Sequence, residues 1–231
     1  IDTTGTFGYP LRPKINGRSL KLVVEIEVIN GIKHIWFRPS FTFVNDGKFP
    51  IEIFAEGMSE SEAIIIPSGK SAPLPLSVPL HACSIKVRPG SLGYDWCEQS
   101  FMIVKDLFVR YDEDSSALDV FHVSCNHLTD TTLHPPFYYC LYGVIQKGSL
   151  EDGFTDGLPN SSVIGRIHFR APLQFMNQLP YRLNYRIYDR SCGFDFGAAL
   201  VPGGVAQLHF INTTHIVGLT VEIEEAGILP I

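Results

Sequence analysis

Cys125 and His127 place a nucleophile type and a base type two positions apart in this chain. Residues two apart on a strand share a face, so the two side chains could meet. No acid is placed to orient the histidine, and no set of donors is placed to hold an oxyanion. We therefore expect the pair to mark a strand that runs into a loop, and we expect the protein not to be an enzyme.

Four cysteine and histidine residues could be drawn together as zinc ligands, namely Cys125, His127, His134 and Cys140. Their spacing is irregular and no second cluster supports them, in contrast to the ligand pairs of structural zinc sites. The acidic runs at 56–62 and 112–114 lack the alternating oxygen-ligand pattern of calcium loops, so we expect solvated turns there. The sequence thus predicts no metal and no cofactor.

Asn45 and Asn177 are the most informative polar residues, because each ends a copy of one motif and they lie 132 residues apart. Residues 35–45 read IWFRPSFTFVN and residues 167–177 read IHFRAPLQFMN, with five of eleven positions identical. Asparagine in a turn commonly has a local role, since its amide mimics a backbone turn. Its two donors and one acceptor could instead bridge backbone groups of the chain or of a guest. The sequence leaves both roles open.

The segment before each motif predicts a β-hairpin. Residues 20–29 and 32–37 flank Asn30-Gly31 in the first copy, and this dipeptide favours the type I′ turn of a two-residue hairpin loop. The second copy has the polar loop 146–162 at the corresponding place. A longer loop at a hairpin tip is a well-tolerated insertion.

The remaining pattern predicts an all-β fold. Short apolar segments recur at roughly 8–12-residue intervals with turn residues between them, which is typical of a sandwich or barrel. We predict two tandem β-sandwich repeat units, one at 18–134 and one at 135–231, with 1–17 an arm or the end of a preceding unit.

Composition narrows the class of function. The chain is 45% hydrophobic, which provides material for a core, and its net charge of −6 argues against nucleic acid. No apolar run approaches the length that spans a bilayer. Five cysteines without a CxxC pair favour a reducing compartment, so we predict five free thiols.

The repeated motif resembles a known family. It is similar to the repeated modules of the adaptor-binding (VAB) domain of vacuolar protein sorting-associated protein 13. The shared order is an aromatic residue, Arg, Pro, a hydrophobic strand and Asn, followed by Leu-Pro and a Tyr-rich strand. In the first copy the matching residues are Phe37, Arg38, Pro39, Phe43 and Asn45; in the second they are Phe169, Arg170, Pro172, Phe175, Asn177, Leu179, Pro180, Tyr185 and Tyr188. The first copy departs from the Asn-x-Leu-Pro form at 46–49.

The resemblance implies a string of β-sandwich repeats, each with a signature Asn, that docks organelle adaptor proteins through Pro-x-Pro segments. It thereby implies targeting of a lipid-transfer protein to membrane contact sites. The implied partners are proline-motif adaptors, neighbouring repeats and the lipid-transfer rod of a parent chain. The implied location is cytoplasmic and peripheral at organelle contact sites, without direct membrane insertion.

The resemblance and the aromatic pattern together suggest a site on the second unit. Pro172 and Pro180 mark places where its sheet cannot be fully paired. The candidate peptide-binding or repeat-signature residues are Asn177, Asn45, Phe169, Tyr181, Tyr185 and Tyr188. Two alternatives stay open: a secreted or cell-surface carbohydrate-binding β-sandwich, and a structural spacer repeat without a ligand.

Overall fold

The structure is a computed structural model, and it describes residues 4–10, 21–56, 58–59, 62–76, 78, 84–103, 120–129, 134–147, 154–155, 158–159, 164–223 and 227–230. Its strands in chain order are β1 (Gly5–Pro10), β2 (Lys21–Ile29), β3 (Ile32–Arg38), β4 (Phe41–Asn45), β5 (Ile51–Ala55), β6 (Ile64–Ile66), β7 (Ser71–Pro73), β8 (Ile85–Pro89), β9 (Phe121–Cys125), β10 (Phe137–Lys147), β11 (Phe154–Thr155), β12 (Leu158–Pro159), β13 (Ile164–Arg170), β14 (Leu173–Met176), β15 (Leu183–Asp189), β16 (Phe194–Leu200), β17 (Val205–Leu208), β18 (Val217–Ile223) and β19 (Gly227–Pro230). The predicted all-β class is confirmed. Within these ranges no helix has the length and apolarity to cross a membrane.

The first hairpin forms as its turn sequence predicts. Asn30 and Gly31 have φ of 52° and 78°, the positive values that a type I′ turn requires. Strands β2 and β3 pair antiparallel from Ile29 opposite Ile32 outwards, and β1 pairs with the other edge of β2. The result is a three-stranded sheet in the order β1-β2-β3.

The larger core lies between a five-stranded sheet, in the order β7-β4-β13-β10-β9, and a three-stranded sheet, in the order β6-β5-β8. Strands β4, β5 and β8 each alternate buried and half-buried residues, because successive side chains of a strand point to opposite faces. Phe43, Ile53, Phe101 and Phe169 are fully buried in this core.

Strands β10 and β13 belong to this larger core, although they follow the boundary predicted at residue 134. Strand β13 pairs parallel to β4, with Ile167 opposite Phe43, and β10 pairs with β9. Tyr139 and Leu141 of β10 are at most 1% exposed within the core. The hairpin that opens the second sequence repeat therefore completes the sheet of the first repeat. As a result, the boundary between the two hydrophobic cores lies near Ala171 and not at the boundary between the sequence repeats.

The smaller core follows. It lies between the four-stranded sheet β16-β15-β18-β19 and the two-stranded sheet β14-β17, with Tyr185, Ile187 and Leu208 buried. Two hydrogen bonds join it to the turn after β4: Lys48 Nζ donates to the Val205 carbonyl at 2.7 Å, and Gln207 Nε2 donates to the Asp46 carbonyl at 2.9 Å.

The pattern of short apolar segments also predicts strands at 74–78 and 101–111, and both differ from the structure. At 74–78 there is a turn instead: β7 ends at Pro73, and the Val78 N–H donates to the Pro75 carbonyl. Proline has no N–H to donate to a ladder, which explains the early end. The long strand expected at 101–111 lies mostly outside the described residues; Phe101 forms an isolated bridge with Ile85.

Candidate functional site

Asn177 lies at the end of β14 and is 2% exposed. Its Nδ2 donates to the carbonyls of Tyr181 and Leu200, both at 2.9 Å. Its Oδ1 accepts the N–H of Leu179 at 3.0 Å. The side chain therefore closes the turn after β14 and fixes Leu200, the last residue of β16.

Asn45 makes the same three bonds in the first repeat. It is fully buried, and its Nδ2 donates to the carbonyls of Phe49 at 2.8 Å and Ile66 at 2.9 Å. Its Oδ1 accepts the N–H of Gly47 at 2.9 Å. The predicted equivalence of the two asparagines is confirmed bond for bond. Because both donors and the acceptor are used within the chain, the geometry supports the local role over direct contact with a guest.

The predicted aromatic residues do not gather on one surface. Phe169 is fully buried against Phe43, with ring centroids 5.9 Å apart, and Tyr185 is 5% exposed against Phe175 at 5.2 Å. Tyr181 and Tyr188 are 45% and 44% exposed. Of the six candidate residues, only these two tyrosines can touch a partner directly.

An aromatic pocket, which the sequence analysis did not identify, lies where the two cores meet. Its volume is about 370 Å³, and its lining residues are Phe49, Leu92, Tyr94, His127, His134 and Pro135 from the first side and Phe194, Phe196 and Phe210 from the second. The Tyr94 hydroxyl donates to the Pro135 carbonyl at 3.0 Å, which ties two parts of the wall together. The alternation Phe194-Asp195-Phe196 is the sequence feature that could have indicated part of this pocket, because residues two apart on a strand share a face.

The pocket adjoins an edge strand. Phe194 and Phe196 lie on β16, which pairs with β15 and, within the described residues, with no strand on its other side. An edge strand has backbone N–H and C=O groups free to pair with an added strand. Asn177 fixes the far end of this strand through Leu200.

His209 packs against Phe49 of the pocket wall, and its imidazole is uncharged there. It is 1% exposed, stacks on Phe137 with ring centroids 4.3 Å apart, and its Nδ1 lies 3.0 Å from the Tyr138 carbonyl. Burial lowers the pKa of His209 to about 4, although the bond to Tyr138 works in the opposite direction. The imidazole is therefore neutral at pH 7, with Nδ1–H as the donor.

Cys125 and His127 do not form a nucleophile–base pair. Cys125 is fully buried and its thiol donates to the Val87 carbonyl at 3.3 Å. Burial raises the pKa of this thiol far above its usual value, and the nearby Cys97 raises it further, so no nucleophilic thiolate forms. The His127 ring instead stacks on His134 with centroids 4.2 Å apart.

The four residues considered as zinc ligands do not converge. Within the described residues, a different group has its potential ligand atoms within 4.8 Å of one another: Asp189, Cys192 and His215. Its carboxylate is already occupied, with His215 Nδ1 at 2.7 Å and the Ser191 N–H at 2.9 Å. Burial works to raise the pKa of Asp189, but these hydrogen bonds hold it below its ordinary value. Hydrogen bonds within the chain therefore account for the group.

The cysteines of the described residues are free thiols: Cys97 and Cys125 are buried, Cys140 is half-buried and Cys192 is exposed. Cys83 lies outside the described residues. The prediction of free thiols therefore holds for the four cysteines that the structure describes.

Comparison with known proteins connects the geometry to a family. A family model described as "Vacuolar-sorting associated protein 13, adaptor binding domain" matches residues 1–230. The chain is also 25% identical over 226 residues to the "Intermembrane lipid transfer protein VPS13" of Chaetomium thermophilum. That alignment covers 96% of this chain and 6% of the fungal protein, so the chain spans a small part of the relative's length.

Proposed function

Because this chain belongs to the vacuolar-sorting associated protein 13 adaptor binding domain family, we propose that it is a non-catalytic module that binds Pro-x-Pro segments of adaptor proteins. By holding such a segment on an organelle, it directs a larger lipid-transfer protein to a membrane contact site. The chain itself acts as a cytoplasmic, peripheral binding module.

The aromatic pocket beside β16 carries the proposal. Proline-rich segments dock in aromatic-lined grooves, and a stiff, extended segment loses little entropy on binding. In an extended strand the residues at i and i+2 share a face. Both prolines of a Pro-x-Pro segment can therefore point into one pocket of about 370 Å³.

The edge of β16 that is unpaired within the described residues suits a motif in which one residue separates the two prolines. In a paired strand, alternate residues direct their N–H and C=O groups to the neighbouring strand. The middle residue of Pro-x-Pro can make both bonds to β16, while each proline, which has no N–H, faces away from the ladder. Asn177 supports this arrangement by fixing the Leu200 carbonyl at the end of β16.

Isothermal titration with an adaptor peptide containing Pro-x-Pro tests the proposal. Phe196→Ala and Leu92→Asp change opposite walls of the pocket, and each is expected to weaken binding at least tenfold. Ile65→Ala is the matched control, because Ile65 is 64% exposed on β6 and does not line the pocket. A peptide with both prolines changed to Ala should bind to none of these proteins.

Two results would redirect the assignment. If Tyr181→Ala or Tyr188→Ala removes binding while both pocket variants bind as wild type, the peptide lies on the exposed tyrosines and not in the pocket. If folded wild-type protein binds no Pro-x-Pro peptide, the spacer role is favoured. Thermal melts of every variant separate lost binding from lost folding.

A further inference from the structure

A group of three side chains with metal-binding atoms lies at the turn between β15 and β16, and none of them lines the aromatic pocket. Asp189 ends β15, Cys192 lies in the turn, and His215 lies in the segment before β18. A carboxylate oxygen, a sulfur and an imidazole nitrogen all lie within 4.8 Å of one another. Three kinds of ligand atom therefore meet at one point, although Asp189 and His215 are 26 residues apart in sequence.

Backbone hydrogen bonds hold the two segments of this group together. Strand β15 pairs with β18 as far as Asp189, and the Arg190 N–H donates to the Ile216 carbonyl. The Gly193 N–H donates to the Asp189 carbonyl at 2.9 Å and closes the turn. The sheet thus brings the three side chains together, and their convergence does not depend on a bound ligand.

Asp189 provides a buried carboxylate at the centre of the group. Its side chain is 2% exposed, and it accepts hydrogen bonds from the Ser191 N–H, the Cys192 thiol and His215 Nδ1. His215 Nε2 lies 3.2 Å from Asn212 Nδ2. An amide nitrogen can only donate, so the imidazole proton lies on Nδ1 and the three donors are neutral. Because a buried charge is costly unless it is paired or coordinates a metal, a cation would stabilise this carboxylate further.

The ligand types select the metal. Mg²⁺ and Ca²⁺ take oxygen ligands, so a thiol in the group excludes them. One sulfur, one nitrogen and one oxygen suit Zn²⁺, whose bonds of about 2.0–2.3 Å place tetrahedral ligand atoms about 3.3–3.6 Å apart. Small side-chain rotations bring the group to that spacing. Cys192 is exposed and His215 is half-buried, so water can take the fourth position.

We propose that Asp189, Cys192 and His215 bind one Zn²⁺ ion, which links the β15–β16 turn to the segment before β18. On binding, the Cys192 thiol gives its proton to solvent and coordinates as the thiolate. The His215 proton moves from Nδ1 to Nε2, so that Nδ1 becomes a ligand, and the Asn212 amide turns over so that its Oδ1 accepts the Nε2–H. One proton is released for each Zn²⁺ bound, and no electron is transferred.

Zinc content after dialysis against Zn²⁺ tests the site in the untagged chain. Wild-type protein is expected to retain one Zn²⁺ per chain, and competition with a chromophoric chelator gives the affinity. Cys192→Ser and His215→Gln each keep a hydrogen-bond donor for Asp189 but lose the metal ligand, so each should weaken binding at least about tenfold. Cys140→Ser is the matched control, because Cys140 is a half-buried thiol outside the group. Thermal melts confirm that each variant is folded.

Asn212→Asp tests which histidine atom coordinates. In the wild-type chain the rotated amide gives up the bond of its Oδ1 to the Thr214 N–H, whereas a carboxylate can accept that N–H and the Nε2–H of His215 together. A carboxylate partner strengthens a metal-bound histidine, so this variant should bind Zn²⁺ about tenfold more tightly. Unchanged or weaker binding would contradict coordination through Nδ1.

Co²⁺ in place of Zn²⁺ tests the sulfur ligand directly. The wild-type chain with Co²⁺ should show thiolate-to-metal charge-transfer absorption, and Cys192→Ser should not. Zn²⁺ should also protect Cys192 of the wild-type chain from alkylation.

Three results would overturn the proposal as a whole. They are a wild-type chain that retains no Zn²⁺, Zn²⁺ retained equally by Cys192→Ser and His215→Gln, and a Co²⁺ complex without charge-transfer absorption. None of them bears on the peptide pocket, since the three ligands do not line it.

Discussion

Asn177→Ala is the substitution whose cost follows most directly from the structure. It removes three hydrogen bonds, and the Leu200 carbonyl bond among them is buried. A net hydrogen bond contributes about 1 kcal/mol, and a buried group left without a partner costs about 1–3 kcal/mol. Since water can reach the Tyr181 and Leu179 groups in part, we expect the free energy of unfolding to fall by about 2–3 kcal/mol.

Asn45→Ala should cost more stability. Two of its three bonds are buried, those to Ile66 and Gly47, compared with one for Asn177. We expect about 3–4 kcal/mol by the same reasoning. Peptide binding should follow the opposite order. Asn177→Ala frees the end of β16 and abolishes binding, whereas Asn45→Ala releases the backbone carbonyl of Phe49 in the pocket wall but leaves β16 fixed, so it should cost stability more than binding.

Urea titrations give the two unfolding free energies, and calorimetric titration with a Pro-x-Pro peptide gives the affinities. Ile65→Ala is again the control, because Ile65 is 64% exposed on β6; a change of at most about 0.5 kcal/mol is expected there. If Asn177→Ala is as stable as Ile65→Ala and binds peptide as tightly as wild type, the asparagine neither closes its turn nor supports the site.

Three further outcomes can be measured. Acidification from about pH 6.5 to 4 should lower the free energy of unfolding by up to about 3 kcal/mol, because the unfolded chain protonates His209 while the folded chain keeps it neutral. In the His209→Gln variant, the free energy of unfolding measured with urea should change less with pH over this window. An unchanged pH dependence in that variant would contradict the assignment. Gly165→Ala should lower the stability of the fold by about 1–3 kcal/mol, since the added Cβ would lie 2.5 Å from the Phe41 ring. Gly197→Ala is its control, because the nearest atom to a Cβ there is 3.5 Å away, and thermal melts of this variant should show little loss of stability. Alkylation without reductant, read by mass spectrometry, should label exposed Cys192 in the folded chain and all five cysteines once the chain is unfolded; a pair that stays protected would refute the free-thiol prediction.

Local sequence signals predicted local structure well. Asn30-Gly31 predicted the first hairpin, and the repeated Asn45 and Asn177 predicted two equivalent turns, because each signal acts within a few residues of itself. The alternation of apolar residues predicted the all-β class for the same reason.

Pairing between distant strands was beyond these signals. Phe37 and Phe169 stand in the same motif, yet one is 68% exposed and the other fully buried, since burial depends on which strand lies alongside. The aromatic pocket was missed for a related reason: Phe49 and Phe210 meet in it from opposite ends of the chain, and no spacing rule connects them.

The parallel pairing of β4 with β13 has a mechanical consequence. Tension applied to the two ends of the chain pulls the start of β4 and the end of β13 in opposite directions. Because the strands are parallel, this force shears the ladder along its length and loads its hydrogen bonds together instead of opening them one at a time. The link between the two repeats is therefore built to resist stretching, and its resistance is set by the rate of forced unfolding rather than by equilibrium stability.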